Sequence, residues 1–276
     1  MRRVTVPALL TVEFSSVFGY ASGMLCTLLL VATMDDSAAQ NAFQRGQQFY
    51  EQRAAEADSF RANPANINKA IDAFQTAIEQ DINTPEAAAY LLQSYYFKAM
   101  YTGQSTDEQK RIYDTGFTKG EKFMERFPNS VPIKFWYGAN IGRWADVHGF
   151  VQAATNGIAQ KLRRVCKKII DLDPQYQGGG GYRILAQVHF HSPNIPLVMG
   201  WPSDDRALEL IEKAMDIAPD HPTNRMLYAE ILLEFDRPEQ AKEHLQYILD
   251  MELRPTHTVE DKYVKHRSRQ MLNNQF

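Results

Sequence analysis

Between Ser203 and Leu253 the chain repeats itself: Ala207, Ile211, Ala214 and Pro219 recur 34 residues later as Ala241, Leu245, Ile248 and Leu253. A period of that length holds two helices and a turn, and little else. In the first copy Ala207, Leu210, Ile211 and Ala214 fall at i, i+3, i+4 and i+7, which draws one apolar stripe along a helix. Ser203 ahead of Asp204 and Asp205 suits the positive end of that helix, and Pro219 marks its stop. The second copy is expected to open at Asp236, with Pro238 just inside and Glu239 placed as in a capping box, and to close near Leu253 and Pro255. Between the two lies TNRMLYAEILLEF, whose Tyr228, Ala229 and Leu232 supply the contacts of an intervening helix. Small residues at Ala207, Ala229 and Ala241 let neighbouring helices approach closely. The unit is helix, turn, helix.

Weaker copies extend the pattern towards the amino end. Gln40 to about Phe60 reads as a helix with Phe43, Gly46, Phe49 and Tyr50 on one face, broken by the run from Asn63 to Asn66. Ala70, Phe74 and Ala77 then repeat the small, large, small order. Gly120, Met124, Phe127 and Pro132 give a third, more degenerate copy, and Leu162, Cys166, Ile169 and Pro174 a fourth, with Gly142 at the small position of the preceding helix. Gly142 and Leu162 are 20 residues apart where Ala229 and Ala241 are 12 apart, so a helical turn or two is inserted there. A similar excess before Ala207 holds HFHSPNIPLVMGWPS, a loop punctuated by Pro and Gly. The tail from about Val259 to Leu272 is polar and suits a terminal cap. No segment alternates β-branched residues as a strand would. The expected fold is all-α: a degenerate tetratricopeptide-like (TPR-like) solenoid of about ten helices in about five pairs, with a C-terminal capping helix, over residues 40–276.

Phe14 to Met34 is a span of 21 residues without a charge, preceded by Arg2 and Arg3. Read as a signal peptide over residues 1–39, it has its apolar run from Met24 to Ala32 and small residues Ser37, Ala38 and Ala39 for cleavage before Gln40. Read as an uncleaved N-terminal anchor, the same span is just long enough to cross a bilayer. Either reading puts the rest of the chain outside the cytoplasm, in the periplasm. Cys26 follows Met24 and Leu25 rather than a small residue, which argues against lipidation. The remaining cysteine, Cys166, falls at a repeat core position and reads as a buried small hydrophobe. Thirty Lys and Arg against 33 Asp and Glu give a net charge of −3, which offers no surface for nucleic acid.

Chemistry is sparse. QGGGGYR, from Gln177 to Arg183, could cradle an anion, yet no Gly-Lys-Ser/Thr follows and no strand precedes it, so a tight entry into the next helix is the favoured reading. His189 and His191 stand two apart and point to different sides of a helix, without companions for a metal. No nucleophile elbow occurs, and neither an enzyme nor a cofactor is expected. The run from Phe135 to Trp144 stands out, because Trp136, Asn140, Arg143 and Trp144 are spaced to share one helix face that mixes aromatic with polar groups. The ligand-binding candidates are therefore Trp136, Tyr137, Asn140, Arg143 and Trp144, with Tyr182 and Arg183 from the glycine-rich turn. They are expected to line a cleft for an elongated, partly apolar ligand carrying an acid group, held by an arginine. A simple aromatic core, with Tyr137 turned inward, is the competing account of the same residues.

FWYGANIGRWA, the QGGGGYRILA turn, the loop ending in GWPSDDRAL and the repeat KAMDIAPDHPTNRMLYAEILL together resemble the T-component (TatT) family of TRAP-transporter-associated proteins, from about Ile67 to Asp250. The resemblance implies an exported all-α bundle of degenerate tetratricopeptide-like repeats. It also implies a periplasmic solute-binding protein of a TRAP transporter as partner, and a cleft or pore to hold a small organic ligand; the sequence leaves a homo-oligomer open. Typical members are lipoproteins, a pattern from which this chain departs at Cys26. The alternative is a generic periplasmic scaffold that binds protein and no small ligand.

Overall fold

The computed structural model describes residues 42–80, 85–192 and 200–276. The 1–39 segment with Cys26, and part of the Pro- and Gly-punctuated loop, lie outside them. The described chain is helical throughout, with one isolated bridge between Asp58 and Arg61. Helix α1 covers 42–51 and runs into a 3-10 turn at Gln52–Ala54. It is followed by α2 (Pro64–Glu79), α3 (Pro85–Tyr101), α4 (Thr106–Arg126), α5 (Val131–His148), the short α6 (Phe150–Thr155) and α7 (Ile158–Leu172). Then come α8 (Tyr176–His191), α9 (Asp204–Ile217), α10 (Pro222–Glu234), α11 (Pro238–Asp250) and α12 (Thr258–Gln275).

These helices pair as α1 with α2, α3 with α4, α5 with α7, α8 with α9 and α10 with α11, leaving α12 as the cap. Five hairpins and a cap match the expectation. The repeat stripe explains the pairing. Ala207, Ile211 and Ala214 on α9 and Ala241, Leu245 and Ile248 on α11 are all completely buried, as are Ala70 and Phe74 on α2. A fully buried Leu or Ile contributes roughly 1.5–3 kcal/mol relative to an exposed one, and the small residues between them set how closely the helices meet. Leu162 takes the small position on α7 and is still 95% covered, so the α5–α7 pair widens without losing its core. The insertion between those two helices is α6, bracketed by Gly149 and Gly157 with φ of +84° and +63°.

Side-chain caps open α2, α4, α5 and α9. Asn63 accepts from the Ala65 amide at 2.9 Å, and Ser203 accepts from the Arg206 amide at 3.3 Å. The start of α11 departs from expectation. Asp236 makes no side-chain cap there; it adopts φ +52° and terminates α10. Its amide donates to Leu233 O at 3.3 Å and the Arg237 amide donates to Leu232 O at 2.9 Å, the paired bonds of a left-handed helix terminus. Aspartate tolerates that conformation as well as it caps, and the following Pro238 forbids α10 from continuing. Helix α1 is also shorter than expected, because Glu56 and Ser59 take positive φ and redirect the chain.

Helix α3 packs on both α4 and α5, α5 on α3 and α8, and α10 on α8 and α12. The first helices of the pairs therefore form one layer, and the second helices stand outside it. This layer closes on itself. Arg53, after α1, donates to Thr256 O at 2.6 Å and to Glu260 Oε1 at 2.7 Å on the cap. Phe60 lies against Tyr263 and His266, with ring centroids 5.9 and 4.8 Å apart, and Tyr101 at the end of α3 lies 5.7 Å from Tyr263. The cap is a latch between the two ends of the solenoid. Its polar sequence hides four buried residues, Val259, Asp261, Val264 and Ser268, and Asp261 is held by three donor groups of Arg254.

Candidate functional site

Helix α5 carries five of the seven candidate residues, and the structure divides them among its neighbours. Tyr137 turns into the core, where it is 1% exposed and lies over Gly120 of α4. Trp144 also faces α4. Its indole donates to Asp114 Oδ1 at 2.6 Å and its ring stacks on His148 with centroids 4.1 Å apart. Asn140 is fully buried and ties helices together, donating to Leu92 O at 2.9 Å and to Trp136 O at 2.7 Å. Of the four residues expected on one face, Trp136 and Asn140 meet α3 and Trp144 meets α4. Trp136 and Arg143 alone of the five are half-buried rather than buried.

The glycine-rich turn has a packing role. Gln177, Gly178 and Gly179 at the start of α8 adopt left-handed φ of 53°, 61° and 76°. A Cβ on Gly179 would lie 2.9 Å from Ala214 Cα, one on Gly180 2.4 Å from the Phe135 ring, and one on Gly181 2.9 Å from Ile169. The backbone here touches three helices, so a phosphate has no place against it. Arg183 is buried, donating to Asn224 Oδ1 at 2.6 Å and to Gln177 O at 3.2 Å. Asn224 in turn donates to Gly178 O at 3.0 Å and Ala214 O at 2.9 Å. Burial, and then Arg254, hold the Arg183 pKa down to about 10, so it stays charged at neutral pH without a carboxylate. This arginine fastens the turn to α10, and the expected role as an acid-holding group does not fit its partners. Tyr182 beside it is half-buried against the core.

Arg143 is different. It pairs with Asp146 one turn along at 3.0 Å, and solvent still reaches 35% of its side chain. Burial would lower its pKa, but Tyr96, Asp146, Tyr113 and Tyr263 together hold it above the ordinary value. Those groups come from α3, α5, α4 and α12, so the charge of Arg143 is felt by several helices while solvent still reaches its side chain. Glu230 of α10, 4.0 Å from His191, also feels the charge of Arg143. Burial raises its carboxyl, while His191, Arg267 and Arg143 pull it the other way. The aromatic wall continues along α3 and α5, with Tyr96 5.7 Å from Trp136 and Trp136 5.1 Å from Phe135. Tyr96, Glu230 and Tyr263 were not singled out from the sequence. Only the alternation of inner and outer helices would have pointed to them.

Two hollows on the described surface lie elsewhere. One of about 600 Å³ runs from Pro85 and Glu86 to the Arg126–Pro132 turn, and a smaller one lies between Gln75 and Phe123. Neither includes a candidate residue. Among the described residues no group of three His, Cys, Asp or Glu could hold a metal, and no helix is long and apolar enough to cross a membrane. Cys166 is fully buried, and burial pushes its thiol pKa well up.

The five hairpins, the small-residue contacts and the inner helical layer define an all-α solenoid protein of the tetratricopeptide type. Residues 205–252, the strongest repeat, match the tetratricopeptide repeat family. Solved structures of similar proteins accompany that match. The tetratricopeptide protein TTC0263 of Thermus thermophilus covers 85% of this chain and 99% of its own, with a TM-score of 0.58 at 16% identity. PilF of Pseudomonas aeruginosa covers 87% and 93%, with a TM-score of 0.49 at 15% identity. No curated protein matches the chain in sequence.

Proposed function

We propose that this protein is a non-enzymatic, extracytoplasmic tetratricopeptide-type adaptor that receives its partner on the inner layer of helices. The carrying observation is the tetratricopeptide-type stack itself, in which the first helices of the pairs, α3, α5, α8 and α10, meet one another in a single layer. Solenoids of this kind use their concave surfaces to bind. The partner we propose is a periplasmic solute-binding protein of a TRAP-type transporter, on the strength of the sequence resemblance between Ile67 and Asp250. The run of rings from Trp136 through Tyr96 and Tyr101 to Tyr263 is suited to an elongated ligand with an apolar body. Arg143, already sharing Asp146, supplies the positive end for an acid group.

Two measurements test the reading. Native mass spectrometry of the exported chain is expected to show a bound small molecule that is lost in Arg143→Ala and Trp136→Ala. Affinity purification is expected to recover a solute-binding protein. Ligand absent and partner present would leave the scaffold without a small molecule, a reading favoured by the internal partners that Arg143 and Arg183 already have. Ligand and partner both absent would refute the proposal.

A further inference from the structure

Helix α7 has an unusual outer face. It buries Ile158, Leu162, Val165, Cys166 and Ile169 and carries Lys161, Arg163, Arg164, Lys167 and Lys168, against Asp171 as its one acid before the C-cap. Lys161 is answered by Glu121 at 2.7 Å, and Arg163 lies over the Trp201 ring at 4.6 Å. Arg164, Lys167 and Lys168 are exposed at i, i+3 and i+4, and among the described residues none of them has a carboxylate within ion-pair distance. On a chain of net charge −3 this is a local reversal of sign. Its field is felt inside the protein. Lys168 helps burial to lower the pKa of Lys134, and Arg206, Arg163 and Lys167 add to burial in holding His189 down to about 4.

Directly before α7 stands α6, none of whose residues is buried. Phe150 and Val151 there are 51% and 74% exposed, the largest such values among the exposed large hydrophobic residues described. Solvent exposure of a neighbouring Phe and Val on a helix that packs against α5 and α7 serves no purpose in the fold. An exposed apolar tip on α6 and a run of cations on the helix it packs against supply the two parts that binding to an anionic bilayer surface uses, apolar side chains among the acyl chains and cations among the headgroups. A protein partner fits less well, because lysine is depleted at protein interfaces.

We propose that the outer face of α6 and α7 docks on anionic phospholipid headgroups at a membrane surface, with Phe150 and Val151 entering the interface and Arg164, Lys167 and Lys168 binding the phosphates. The face lies on an outer helix, so docking there leaves the inner layer free. The proposal is independent of the partner and ligand assigned above.

Cosedimentation of the full chain with vesicles tests it. Vesicles of pure phosphatidylcholine report binding that needs no charge, including any by the apolar N-terminal segment, and vesicles with 30% phosphatidylglycerol report the headgroup contribution. The wild-type chain is expected to prefer the anionic vesicles and to lose that preference in high salt. Arg164→Gln/Lys167→Gln/Lys168→Gln should weaken the anionic-vesicle affinity on the order of a hundredfold, and Phe150→Ser/Val151→Ser should weaken it with the salt dependence intact. Both sets of changes are on the surface, and an unchanged circular dichroism melt confirms that the fold is kept. No preference in the wild-type chain, or a preference that survives the triple substitution, overturns the proposal. Retention on immobilised polyglutamate without vesicle binding would assign the face to an acidic protein instead, and would equally overturn it.

Discussion

Alanine at position 179 should cost much more than alanine at two other glycines, because the structure separates the reasons for which a glycine is needed. Gly142 lies inside α5 with ordinary helical backbone and no atom within 4 Å of a would-be Cβ. Gly142→Ala therefore removes only the chain entropy of glycine and should stabilise by about 0.5–1 kcal/mol. Gly157 has φ of +63° in open space, so Gly157→Ala meets backbone strain alone, about 1–2 kcal/mol destabilising. Gly179 combines φ of +76° with a Cβ position 2.9 Å from the Ala214 backbone, an atom that cannot rotate away. Strain adds to overpacking of about 1–3 kcal/mol, giving about 2–5 kcal/mol in all. At roughly 2–4 °C per kcal/mol for a domain of this size, Gly179→Ala should lower Tm by about 4–20 °C, Gly157→Ala by a few degrees, and Gly142→Ala should raise it slightly. Differential scanning calorimetry of the three proteins under one set of conditions measures this. If Gly179→Ala melts within about 1 °C of Gly142→Ala, the close contact between the turn and α9 is wrong, and with it the packing account of the glycine run.

Two further predictions concern the latch and the loop. Arg53→Met removes the bonds to Glu260 and Thr256 while keeping much of the apolar bulk over Tyr50 and Phe97, so amide hydrogen exchange in α12 should speed up while α9 and α10 keep their protection; uniform protection across α12 would show that the rings of Phe60 and Tyr101 close the solenoid unaided. His189 is held neutral in the fold, at about 4 by burial first and then by Arg206, Arg163 and Lys167, against an ordinary value of 6.5. Its folded pKa is depressed, so the unfolded chain takes up the proton first: stability is complete above pH 6.5 and falls as pH drops towards 4. The decline in Tm over that window should be smaller in His189→Gln, and an identical decline in both proteins would refute the assignment.

Legibility from sequence differed sharply between elements. The repeat helices were readable because amphipathic spacing is a local property. Ala207, Ile211 and Ala214 share one face of α9 whatever lies opposite, and a face so apolar must be buried. The glycine run was readable for a similar reason, since four small residues in a row serve a close approach more readily than any chemistry. Helix α5 was not readable in this way. It is contacted by α3, α4, α7 and α8, so apolar residues surround it and no single face announces itself. That is why Trp136, Asn140, Arg143 and Trp144, grouped by spacing, differ in burial and in the helix they meet. Asp236 failed for another reason: the same side chain serves a helix start and a left-handed helix end, and only the surrounding backbone chooses.

What the sequence determined by itself was the kind of object this is: helices of repeat length, paired through small residues, in an order that permits only stacking. The tertiary structure alone decided that the stack closes. Arg53 and Glu260 stand 207 positions apart, and nothing in the neighbourhood of either names the other. Their meeting depends on the curvature accumulated over five hairpins, including the widened α5–α7 pair, and curvature is a sum of small packing angles that no local pattern records.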